Sequence, residues 1–139
     1  MQNNKIAILI KKLDLKFDKI ANPVLISYGF TVTQFKIIKY LYDNDDVIAM
    51  DLQKEFSLTN PTITGIINNM ENNGWIRRVK NPLDSRSKII KLTKKALDLK
   101  DEMYGIGDNF EKQFTCMLGK KEKDDLLKLL NKIDASLIK

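Results

Sequence analysis

The sequence predicts a mainly α-helical chain carrying one small β-hairpin, and three observations lead there. Apolar residues recur at helical spacing in several separate segments. Two short strand-like runs, 75–80 and 88–92, flank a loop rich in turn-forming residues. Cap chemistry stands where those segments begin and end: Thr31, Asn60-Pro61 and Thr93 before helices, Gly74 after one.

In residues 6–20, Ile6, Leu9, Ile10, Leu13, Phe17 and Ile20 share one face while Lys and Asp fill the other, and the helix should stop near Asn22-Pro23. Thr31-Val32-Thr33-Gln34 has the form of a capping box, followed by a face of Phe35, Ile38, Leu41 and Tyr42 that ends in the acidic run at 43–46. A short third helix over 49–56 buries Leu52 and Phe56, and Ser57-Leu58-Thr59 makes a tight turn. Asn60 is the expected N-cap of the next helix, with Pro61 at its first position, and Ile63, Ile66, Ile67 and Met70 form its buried stripe. Gly74 closes that helix. Thr93 opens a long helix over 94–118, in which Gly105 and Gly107 imply a bend or a close helix contact, and a final helix spans 120–138.

The chain has 139 residues and 43% apolar content, which suits one domain with a proper core. No run reaches the roughly 20 consecutive apolar residues of a membrane span, and the N-terminal stretch lacks the pattern of a signal peptide, so a cytoplasmic location is expected. One cysteine, Cys116, and no histidine leave neither a zinc ligand set nor a Cys–His or Ser–His pair. No cofactor is expected, and no catalytic constellation points to an enzyme.

The net charge of +6 is unevenly spread. Residues 51–95 carry +5, and within 77–95 eight basic residues face a single acid, Asp84. A short, arginine-containing basic hairpin beside turn signals favours a polyanion. The three-residue turn between the third and fourth helices makes them a helix-turn-helix, whose second helix lies in the major groove. That helix would present Asn60, Pro61, Thr62, Thr64, Gly65, Asn68 and Asn69. Asn bonds adenine bidentately, Thr meets bases, phosphates or the thymine methyl, and Gly65 leaves room for the backbone to approach.

The stretch Leu52–Thr93 resembles the MarR family of bacterial regulators. Gly74-Trp75-Ile76-Arg77-Arg78, then Asp84-Ser85-Arg86, then Leu92-Thr93 carry the resemblance, and D-x-R followed, after five intervening residues, by L-T is its most specific part. The resemblance implies a winged helix-turn-helix whose terminal helices form a dimerisation region: 1–30 and 94–139 around a DNA-binding lobe at 31–93. It implies a homodimeric regulator, commonly a repressor on a palindromic operator in double-stranded DNA, often released by a small aromatic or lipophilic effector. It places Arg86 in the minor groove, oriented by Asp84, with Arg78, Ser85 and Lys88 completing the wing. Two residues depart from the pattern: Gln53 stands where relatives have a small residue, and Gly65 where many have a basic or larger one. The cysteine of peroxide-sensing relatives, near the N-terminus, is absent, and Cys116 reads as a buried, inert thiol.

Ile6, Leu9 and Leu13, with Leu126, Leu129, Leu130, Ile133 and Leu137, exceed what one small lobe can bury and so call for a partner surface. An aromatic crevice between long helices would draw on Phe17, Tyr28, Phe30, Tyr40, Tyr42, Tyr104 and Phe110. Core packing is the plainer role for such a stripe. A protein-binding winged-helix module, its hairpin docking an acidic partner, is the alternative function.

Overall fold

The computed structural model describes residues 5–137. The elements run α1 (Ile6–Ile26), α2 (Val32–Asp43), α3 (Ala49–Phe56), α4 (Asn60–Asn72), β1 (Ile76–Lys80), β2 (Lys88–Leu92), α5 (Lys94–Asp98), α6 (Lys100–Phe114) and α7 (Lys120–Ser136). The expected end of the last helix, residue 138, lies outside the described residues.

The core sits among α1, α2, α4, the hairpin and α6. Leu25, Ile37, Ile38, Leu52, Ile63, Met70, Ile76 and Met103 are its largest fully buried side chains. The capping box at Thr31 forms in both directions: Thr31 Oγ1 accepts from the Gln34 N–H and Gln34 Oε1 from the Thr31 N–H, each at 3.1 Å. Gln34 is buried and reaches Asn69 on α4, Nε2 to Oδ1 at 2.9 Å, so the start of α2 is tied to the middle of α4. Gly74 adopts φ +82°, the left-handed turn a C-terminal glycine supplies. Trp75 then packs on Phe30 at 4.5 Å, beneath the Lys95 ammonium at 4.0 Å.

Three expectations need correction. First, α1 does not end before Pro23 but runs on to Ile26. Proline forfeits one backbone bond only near the helix end, and full burial of Ala21 and Leu25 holds the last turn in place. Second, Thr59, not Asn60, caps α4: its Oγ1 accepts from the Thr62 N–H at 3.3 Å, leaving the Asn60 side chain free for other partners. Third, the long helix over 94–118 is two helices parted at Leu99, away from both glycines. The Ala96 carbonyl accepts from the Tyr42 hydroxyl at 2.6 Å and from the Leu99 N–H at 3.2 Å, which closes α5. Asp101 and Glu102 then suit the positive start of α6. Gly107 does mark a close contact, since a Cβ there would meet Lys39 Nζ at 2.6 Å, whereas Gly105 faces open space and nothing explains it. In keeping with the excess of apolar residues on the terminal helices, α7 buries none of its residues within the chain. Leu126, Leu129, Leu130, Ile133 and Leu137 lie exposed, as do Ile6, Leu9 and Leu13 on α1.

The two strands pair antiparallel, with Ile76 opposite Leu92 and Lys80 opposite Lys88. One further bridge, absent from the sequence reading, joins Val47 to Ile90, whose N–H donates to the Val47 carbonyl at 2.8 Å. It fixes the base of the hairpin to the segment between α2 and α3.

Candidate nucleic-acid interface

Helices α3 and α4 stand on either side of a turn closed by Ser57 in the left-handed region, φ +53°, with the Leu58 N–H returning to the Gln53 carbonyl at 3.0 Å. Burial of Ile63, Ile67 and Met70 points the opposite face of α4 outward. Pro61, Thr62, Thr64, Gly65 and Asn68 are all exposed on that side, and a Cβ built on Gly65 meets nothing. Thr62 Oγ1 accepts from the Thr59 hydroxyl at 2.9 Å, which leaves its own hydroxyl hydrogen available. Asn69 is differently employed. Its Oδ1 accepts from both Gln34 and Asn73, so it is a structural tie between α2 and α4.

The wing tip is a run of tight turns. Asn81 Oδ1 accepts from the Leu83 N–H at 3.0 Å, and Asn81 Nδ2 donates to Ser87 Oγ at 3.0 Å. The Ser87 N–H donates back to the Asp84 carbonyl at 3.2 Å. Within this frame Asp84 Oδ1 accepts from the backbone N–H and from Nε of Arg86, at 3.0 and 3.1 Å, with Nη2 3.5 Å from Oδ2. The Arg86 side chain is 89% exposed, against 41% for Asp84. The guanidinium is thus aimed by a carboxylate yet open to solvent. Its hydrogen bonds hold the Asp84 carboxyl below the usual carboxylate range. Ser85 and Lys88 are exposed beside it. The strands place Arg77 opposite Lys91 and Lys80 opposite Lys88. Like charges facing across a ladder repel, and a polyanion would relieve that repulsion.

Arg78 departs from a free basic probe. It pairs with Glu71 at 2.6 Å, its side chain only one-third exposed, and so joins β1 to the end of α4. The hydrogen bond from Arg78 holds the Glu71 carboxyl below its ordinary range. A cleft of about 460 Å³ opens between α3, α4 and the wing, bordered by Gln53, Asn60, Thr64, Arg78, Arg86 and Lys88. Gln53, noted from the sequence only as a departure, touches the exposed face of α4: its Nε2 donates to Asn60 Oδ1 at 3.0 Å.

A second crevice, about 400 Å³, lies where α1, α2 and α6 meet near α3. Of the aromatics expected there it holds Phe17, Tyr40 and Phe110, joined by Phe35, Phe56, Lys36 and Lys39. The other four are engaged elsewhere. Phe30 stacks on Trp75, Tyr42 faces Tyr104, and Tyr28 and Tyr104 donate to Glu102 and Asp43. Among the described residues no helix is long and apolar enough to cross a membrane. Cys116 is exposed rather than buried.

The MarR family profile matches residues 30–88, from the end of the α1–α2 link to the first residue of β2. The HTH-type transcriptional regulator FarR of Neisseria gonorrhoeae is 30% identical over 121 residues, covering 83% of this chain and 81% of that protein. The chain belongs to the MarR family. It is a DNA-binding transcriptional regulator with a winged helix-turn-helix. Among solved structures, a cysteine-to-serine variant of MarR from E. coli complexed with operator DNA matches at TM-score 0.83 and 25% identity, covering 92% of each chain. The S. aureus MepR–DNA complex matches in fold at TM-score 0.86 and 24% identity, covering 97% of this MarR-family chain and all of that one.

Proposed function

We propose that this MarR-family chain is a repressor that binds a palindromic operator in double-stranded DNA as a homodimer. In this reading α4 enters the major groove and Arg86 the adjacent minor groove, where an arginine reads groove width and negative potential. One observation carries it: Arg86 is aimed by Asp84 while its side chain stays 89% exposed. An arginine held in one direction with nothing in front of it is prepared for an anion that arrives from outside.

The homodimer follows from the apolar faces of α1 and α7, which the chain itself leaves uncovered. A two-fold interface covers the same face on both copies. A two-fold protein in turn reads a palindrome. The crevice of α1, α2 and α6 is the place for a small aromatic or lipophilic effector, because it joins a dimerisation helix to the bracing side of the lobe. No catalysis is assigned to the chain, and its action belongs in the cytoplasm, with the chromosome. The protein-binding alternative has no observation of its own in its favour.

The test is selection of bound duplexes from a random pool, run beside sedimentation of the free protein. An inverted repeat, bound by two copies with affinity falling steeply as salt rises, is the expected result. A monomer at micromolar concentration, or binding to all duplexes alike, would overturn the reading.

A further inference from the structure

The Arg78 guanidinium serves two partners on α4. Nη2 donates to Glu71 Oε1 at 2.6 Å and to Asn68 Oδ1 at 2.7 Å, and Nε adds a bond to Glu71 at 3.2 Å. Glu71 Oε2 also takes the Arg78 backbone N–H at 3.3 Å, so the strand as well as the side chain is fastened to the helix. Arginine has donors only. The atom of Asn68 that faces it is therefore the oxygen, and the amide group must point the other way. Asn68 is exposed, and no acceptor among the described residues takes its amide hydrogens.

We propose that Glu71 and Arg78 hold Asn68 with its amide group toward the duplex, so that this turn of α4 offers hydrogen-bond donors alone and selects guanine at the base it meets. The proposal rests on α4 being the DNA-reading helix. Guanine shows two acceptors in the major groove, N7 and O6. Adenine pairs one acceptor with an amino donor, thymine shows a single acceptor beside its methyl, and cytosine shows only an amino donor, so guanine alone offers two acceptors. A free asparagine would satisfy adenine with both of its polar atoms. Asn68 meets adenine so only by giving up the 2.7 Å bond and leaving the guanidinium short of a partner. Accepting from a cation also polarises the carboxamide and strengthens its remaining donors. Arg78 is thus a positioning residue that sets specificity through Asn68.

The experiment is a base-substitution panel on the selected duplex, read for the wild-type chain, Asn68→Ala, Arg78→Met and Arg78→Lys. Asn68→Ala should abolish, at one position per half-site, a guanine preference of roughly tenfold over adenine. Arg78→Met should lose the preference at that same position, in addition to a general loss of affinity, although methionine touches no base. Arg78→Lys should retain it, because an ammonium also only donates. Uniform weakening by Arg78→Met with the profile intact would make Arg78 a simple phosphate contact and overturn the proposal. So would an unchanged profile in Asn68→Ala, or adenine preferred at that position by the wild type. A wild-type chain that selects no duplex defeats the DNA reading itself, which is a separate and recognisable result.

Discussion

Replacing Asp84 with alanine sets two physical effects against each other. The carboxylate holds Arg86 through its backbone N–H, Nε and Nη2, at 3.0, 3.1 and 3.5 Å. Without it, a side chain already 89% exposed regains its rotamers and must surrender them again on binding. Ordering one long side chain costs about 0.5–1.5 kcal/mol, or roughly two- to twelvefold in affinity per wing. Charge acts the other way, since removing an anion near a polyanion favours binding. That gain is screened beyond about 8 Å at physiological salt, whereas the ordering cost is not. Asp84→Ala should therefore weaken binding roughly two- to fivefold per wing at physiological salt, and less at low salt. Asp84→Asn keeps an acceptor for the same N–H groups without the charge, so it should fall between wild type and alanine. Fluorescence anisotropy with the selected duplex at two salt concentrations decides the matter. Tighter binding by Asp84→Ala at both concentrations would show that Arg86 is not pre-aimed and that the hairpin acts as a diffuse positive patch.

Thr59→Ala removes the cap of α4 and should cost about 1 kcal/mol, read as a lower urea midpoint with an unchanged slope; Asn60→Ala should cost less, because Asn60 caps nothing. Two carboxyls paired with hairpin arginines ionise more readily in the folded chain, Glu71 on α4 and Asp84 in the wing lying below their ordinary values of 4.5 and 3.8. Their contribution is full above those values and is lost only as pH falls through the lowered ones. With no histidine in the chain, DNA affinity should stay flat from about pH 5 to 8, and a titration with a midpoint in that window would contradict this. Leu130→Asp with Ile133→Asp puts two charges on the exposed apolar face of α7 and should convert the dimer to monomer or aggregate in sedimentation; an undisturbed dimer would place the interface elsewhere.

What the sequence announced was local. Thr31, Thr93 and Gly74 mark their boundaries because a cap needs only residues three or four positions away. The pairing of Asp84 with Arg86 spans two residues, and it too was legible through the family motif. What it hid depends on partners distant in the chain. The break at Leu99 involves Tyr42, 54 residues from the carbonyl it reaches. Continuation of α1 past Pro23 depends on burial of Leu25, which periodicity alone does not weigh against proline. Asn60, Asn68 and Asn69 looked equivalent as polar residues on one helix. They differ only in what Gln53, Arg78 and Gln34 do to their oxygens. Gln53 was visible as an oddity, and only its neighbour in space gave it a role.

The fastening of the hairpin at two points has a consequence for control. The Val47–Ile90 bridge secures its base, and the Glu71–Arg78 pair clamps its first strand to α4. The proposed major-groove helix and minor-groove probe are therefore one casting, with the stride between them set when the lobe folds. A molecule lodged in the crevice of α1, α2 and α6 would touch neither of these fastenings. In the proposed dimer, what it would alter is the angle at which each lobe leaves the interface, and hence whether both castings meet the same side of the double helix at once. Control of this kind resembles the opening of calipers, in which neither jaw changes shape.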